Sequence, residues 1–150
     1  MSLVTDLPAI FDQFSEARQK GFLTVMDLKE RGIPLVGTYC TFMPQEIPMA
    51  AGAVVVSLCS TSDETIEEAE KDLPRNLCPL LKRSSGFGKT DNCPYFYFSD
   101  LEDGETTCAG KQTMYEYMAA STPVHEMQFP TRVKANASRA SWKAARLRLL

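Results

Sequence analysis

The chain has 150 residues, 44% of them hydrophobic, which is enough to bury one sizeable core and too few for two comfortable domains. Its net charge of −3 averages over an asymmetry: residues 1–126 carry all nineteen acidic side chains against ten basic ones, while residues 127–150 carry six basic and none acidic. No run approaches the roughly 18 consecutive apolar residues of a membrane helix, and Asp6 and Pro8 stand where an export signal would be basic and then apolar, so a soluble, cytoplasmic protein is expected.

Residues 8–31 place Ile10, Phe11, Phe14, Ala17, Phe22, Val25, Met26 and Leu28 at helical spacing with an interruption at Gly21, which predicts two short helices. Residues 33–40 form a short apolar run with Gly and Pro flanks, suited to a buried strand, and residues 53–58 form a second, rich in β-branched side chains. Runs without alternation are typical of parallel strands covered on both faces. Between them, Pro44 to Gly52 offers a proline-started helix closed by glycine, completing a βαβ unit.

An acidic helix is predicted from Ser62 to Leu73, with Ser62 and Thr65 as cap and first-turn residues and Pro74 as its stop. Residues 77–87 predict another helix, entered by Asn76 and stopped by Gly86 and Gly88. The segment from Ser84 to Thr90 has the flavour of a phosphate loop, but its glycines are too close together for that pattern. Tyr95 to Phe98 reads as an aromatic strand, followed by an acidic, glycine-containing turn. A helix over 108–118, a strand over 124–129 and a final amphipathic helix over 138–150 complete the order. Within residues 127–150, Arg132, Lys134, Arg139, Lys143, Arg146 and Arg148 are interleaved with Ala, Trp142 and Leu at helical spacing, so the basic segment reads as a solvated face and not as a nucleic-acid site. The expected fold is α/β: a parallel sheet of about four strands with helices on both faces, Rossmann- or flavodoxin-like, in which residues 1–32 are an N-terminal helical segment and residues 33–150 an α/β domain, cut short at Leu150.

Five cysteines, an odd number without an export signal, argue for reduced thiols. Cys78 and Cys108 lie at predicted helix starts and Cys93 before a predicted strand, while Cys40, Cys59 and Cys108 fall at or after strand ends, where α/β sheets form their ligand crevice. Helix N-termini favour the thiolate, the ligand form. The spacings are too long for a zinc ribbon but allow a cluster ligated from separate loops. A single such thiol is more often a small buried hydrophobe, but five together, three of them beside Pro or Gly at element boundaries, shift the balance toward a metal site. Glu46, after Pro44, is the one carboxylate placed to face the crevice, and His125, the only histidine, reads as a packing residue that leaves Cys-His or Ser-His catalysis without a second candidate.

Residues 37–46 (GTYCTFMPQE), 57–65 (SLCSTSDET), 71–80 (KDLPRNLCPL) and 104–108 (GETTC) closely resemble the 2-hydroxyglutaryl-CoA dehydratase D-component family, which includes 2-hydroxyacyl-CoA dehydratases and benzoyl-CoA reductases, and in particular its double-cubane-cluster branch. The resemblance runs from the first residue to about Met118. It implies an α/β domain that binds an iron–sulfur cluster, [4Fe-4S] or double-cubane, in a cleft against a second α/β domain. It also implies single low-potential electrons from an ATP-hydrolysing iron–sulfur activator protein, a dimeric assembly, and an acyl-CoA or small-molecule substrate that is dehydrated or reduced. By motif it places ligands at Cys78 and Cys108, then at Cys93, Cys40 and Cys59; the catalytic candidate, Glu46, rests on its position after the first strand and not on the resemblance. Where the family reads Cys-Asp-Gly followed by lysines, this chain has Cys108-Ala109-Gly110-Lys111-Gln112-Thr113, and an acidic pair, Glu102 and Asp103, stands before Gly104. Such a pair beside thiolates is expected to add unfavourable negative charge. A non-catalytic α/β fragment without a complete cluster site is the alternative that these sequence features support.

Overall fold

A computed structural model describes residues 10–40, 42–60 and 62–128. The helix expected over 138–150, its basic residues and Phe129 lie outside these described residues. Among the described residues no helix is long and apolar enough to cross a membrane.

The first element, α1 (Ile10–Glu30), is one continuous helix, not two. Gly21 is a contact point: an added Cβ there would stand 2.5 Å from the Tyr95 hydroxyl oxygen. Beside it the Phe22 and Tyr95 rings approach to 5.0 Å between centroids, Val25 is buried, and Lys29 pairs with Asp100. The cost of a mid-helix glycine, about 1 kcal/mol against alanine, is offset by this docking.

Strand β1 (Leu35–Thr38) is entirely buried and begins with the Leu35 amide donating to Asp100 Oδ2 at 3.0 Å. The short α2 (Glu46–Ala50) leads through Gly52, at φ +84°, into β2 (Val54–Ser57). This βαβ unit matches its sequence pattern, but β2 is a half-buried edge strand and is not covered on both faces. The acidic helix is much shorter than its pattern: α3 (Ile66–Ala69) spans a single turn. Its N-cap, Thr65, makes no capping bond and instead donates its hydroxyl to the Arg83 carbonyl at 3.3 Å.

Helix α4 (Pro79–Thr90) begins one residue after Cys78, with proline in its first turn where the missing amide costs nothing. It passes straight through Gly86 and Gly88 and ends at Asp91 in the left-handed conformation, φ +55°. The glycines therefore do not stop the helix. They let neighbours approach: a Cβ on Gly86 would lie 2.1 Å from the Thr65 carbonyl oxygen, and one on Gly88 2.7 Å from Met118 Cε.

Two further elements reverse their sequence patterns. Tyr95 to Phe98, read as a strand, belongs to the helix α5 (Pro94–Phe98), which follows Cys93. The acidic segment read as a turn is β3 (Leu101–Glu105), a central strand. Helix α6 (Ala109–Met118) and β4 (Val124–Met127) follow as expected.

The four strands form one parallel sheet in the order β2-β1-β3-β4, so the chain has an α/β fold. Leaving β1 toward β2 and returning past it to β3 creates a topological switch point at the carboxyl ends of β1 and β3, the usual ligand crevice of such sheets. Side chains alternate between the sheet faces. Tyr39 and Val56 on one face pack with Leu81 of α4, Phe96 of α5, and Met114, Tyr115 and Met118 of α6. Val36, Leu101 and Met127 on the other pack with Met43 and Ala53, which flank α2.

Candidate functional site

At the switch point β1 runs into Cys40, whose φ of +60° is unusual for a residue with a side chain. Its sulfur accepts a hydrogen bond from Lys111 Nζ at 2.9 Å. Lys111 reaches it from the first turn of α6 and also pairs with the carboxylate of Glu105, the last residue of β3. Lys111 is 8% exposed and Glu105 fully buried. Burial works against the ammonium, but the Cys40 sulfur and the Glu105 carboxylate outweigh it and hold the Lys111 pKa above the ordinary lysine value. The Thr107 hydroxyl donates to Glu105 Oε1 at 2.8 Å, while Oε2 has no hydrogen-bond partner among the described residues.

The remaining carboxylates of β3 divide between the faces of the sheet. Glu102 points to the helical core, where the Tyr39 hydroxyl donates to its Oε2 at 3.0 Å and also lies 3.3 Å from Met118 Sδ. Burial, only partly opposed by bonds from Tyr39 and Thr122, pushes the Glu102 pKa up to about 7. The same contact, added to burial, holds the Tyr39 phenol well above its ordinary value. Asp103 points the other way and meets His125 Nδ1 at 3.0 Å. Burial raises its pKa against the opposing effect of His125. The two carboxylates thus do not form one bare negative patch, and His125 is an acid's partner more than a packing residue.

Around this edge the cysteines take different stations. Cys59 follows β2 and is exposed; Cys78 and Cys108 cap α4 and α6 and are exposed. Cys93 caps α5, a helix and not a strand, and packs half-buried against the core. Gly110 brings two of these helix starts together: a Cβ on it would stand 2.8 Å and 3.0 Å from the Cδ1 atoms of Leu77 and Leu81, and 3.6 Å from Cys108 Sγ. Cys40 and Cys59 both lie close enough to Tyr115 for negative charge on them to raise its phenol pKa, after burial and Glu105. Glu46 is exposed in the first turn of α2. All five thiols are free, and in kind they suit a soft metal centre. Among the described residues, however, no three His, Cys, Asp or Glu side chains gather closely enough to hold a metal ion by themselves.

Lys111 and Glu105 are the functional candidates that cysteine spacing misses. The only sequence signal for them is a lysine six residues after a glutamate, bracketing Cys108.

Residues 40–149 match the family described as 2-hydroxyglutaryl-CoA dehydratase, D-component. Over 149 residues the chain is 85% identical to the Escherichia coli (strain K12) protein named "Putative dehydratase subunit YjiM", covering 99% of this chain and 39% of that relative.

Proposed function

Because the chain belongs to the 2-hydroxyglutaryl-CoA dehydratase D-component family, we propose that it forms one α/β domain of the iron–sulfur subunit of a 2-hydroxyacyl-CoA dehydratase-like or double-cubane reductase-like enzyme. The chain spans 39% of the relative's length; in this reading a second α/β domain in the full-length protein supplies the rest of the site. The observation that carries this reading is the placement of Cys40, Cys59 and Cys108 after three neighbouring strand ends, with the Cys78 helix start abutting that of α6.

In this reading Cys78 and Cys108 are the principal ligands and Cys93, Cys40 and Cys59 the secondary ones. A bound [4Fe-4S] or double-cubane cluster would supply one-electron chemistry, drawing low-potential electrons from an ATP-hydrolysing activator. The chain's own residues set the environment. The helix N-termini at Cys78 and Cys108 present partial positive charge to thiolates, and Lys111 sets a buried cation beside Cys40. Glu46, exposed at the start of α2, is the carboxylate placed to exchange a proton with an acyl-CoA or small-molecule substrate. The assembly is a dimer in the cytoplasm, without nucleic acid or membrane.

The test is the spectrum of the full-length protein prepared anaerobically. The reading expects brown protein with a broad thiolate-to-iron absorption that fades in Cys78→Ala and Cys108→Ala. Colour that survives both changes would overturn the ligand assignment. The second reading, an α/β fragment without a complete cluster site, is favoured by the lack of a closed donor set among the described residues; it expects colourless protein whatever the cysteine.

A further inference from the structure

We propose that Cys40 and Lys111 are a covalent modification site, in which a hydroperoxide drives formation of an S–N bond between the Cys40 sulfur and Lys111 Nζ. The two atoms are already in contact at 2.9 Å. Lys111 is 8% exposed and paired with the fully buried Glu105, which holds its amine beside the sulfur. Cys40 is fixed from its own side by a left-handed backbone, φ +60°, a conformation costing a residue with a Cβ about 1–2 kcal/mol. It is only half-buried, so a small peroxide can reach it. The pairing of Glu105 with the ammonium runs through Oε1, which fixes Nζ in place.

The chemistry balances in two steps. The peroxide transfers one oxygen to the thiol, giving a sulfenic acid, and is itself reduced to the alcohol, or to water when it is hydrogen peroxide. Lys111 releases one proton to water, and the free amine attacks the sulfenic sulfur. The S–N bond forms as the S–O bond breaks, and the departing hydroxide takes a second nitrogen proton to leave as water. The thiol and the amine have each lost one hydrogen, and the peroxide has been reduced. A thiol reductant reverses the bond and restores both side chains. The cross-link belongs to the protein without a cluster, and it caps Cys40 before the irreversible sulfinic stage. Because the bond forms only where Cys40 is not ligating iron, its test on iron-free protein succeeds or fails separately from the cluster reading.

The experiment treats the purified, iron-free protein with stoichiometric hydrogen peroxide, digests it and maps the peptides by mass spectrometry. The expected product is a linked Cys40–Lys111 peptide, lighter than its two parents together by one hydrogen from each and separated again by dithiothreitol. In Lys111→Arg, which keeps the ion pair with Glu105, the link is lost and Cys40 proceeds to sulfinic acid. If Cys40 in the unsubstituted protein ends as sulfinic acid, in a disulfide with another cysteine, or unmodified, the proposal is wrong. It is equally wrong if Lys111→Arg gives the same products as the unsubstituted protein.

Discussion

Replacing Glu102 with glutamine probes the most perturbed acid of the sheet. Glu102 is 2% exposed on a central strand, and its pKa is pushed up to about 7 by burial from an ordinary value of 4.5. A carboxyl raised in the folded state stays protonated while the unfolded chain ionises. Its contribution is therefore fully present below pH 4.5 and is lost as the pH rises toward about 7. The shift corresponds to about 3 kcal/mol lost across that window and constant above it. Glutamine cannot ionise, yet it keeps a carbonyl to accept the Tyr39 hydroxyl bond. Relative to the unsubstituted chain, Glu102→Gln should be near neutral at pH 4.5 and more stable by about 3 kcal/mol at pH 8. For a chain of this size that is a rise in Tm of roughly 6–12 °C. Urea melts from pH 4.5 to 8 read it directly. An advantage for Glu102→Gln that is the same at both ends of the range would show that this carboxyl does not carry a buried proton.

Gly86→Ala forces a Cβ to within 2.1 Å of the Thr65 carbonyl oxygen, backbone that cannot swing aside, so thermal melts should show a loss of about 1–3 kcal/mol or more as α3 is pushed off α4. Tyr115→Phe removes a buried hydroxyl that has no hydrogen-bond partner among the described residues and should leave stability unchanged or raise it by about 1 kcal/mol, a result opposite to the usual loss on truncating a core side chain. Lys111→Met removes the cation from the fully buried Glu105 and should cost about 3–5 kcal/mol at neutral pH, with much of the loss recovered in acid, as read by the pH dependence of denaturant midpoints.

The parallel βαβ start and the α6–β4 end are legible in the sequence because their apolar runs and glycine or proline punctuation are local signals. The misread elements depend on partners distant in sequence. The segment from Tyr95 to Phe98 has strand-like composition, but Pro94 in the first turn starts a helix, and its aromatics find their places against Gly21, Phe22 and the core. Glu102 and Asp103 resemble a solvated turn because nothing nearby in sequence announces Tyr39 and His125, which bond to them in that order, and the one local sign of the partner of Glu105 is a lysine six residues on. Gly21, Gly86 and Gly88 look like breaks for the same reason: a glycine required by a close neighbour cannot be told from a helix stop by its own surroundings. At the site, the positions of Cys40 and Cys59 after strands follow from the strand pattern, whereas that of Cys108 does not, because the sequence of β3 reads as a turn. The Cys40–Lys111–Glu105 arrangement does not, since it needs the strand order that sets β1 beside β3.

Iron and acid-labile sulfide measured per polypeptide, on full-length protein purified anaerobically, test the central claim most directly. The account predicts both in the amounts of at least one four-iron cluster, falling sharply when Cys78 and Cys108 are replaced together. Full-length, folded, anaerobic protein that contains neither iron nor sulfide would contradict it.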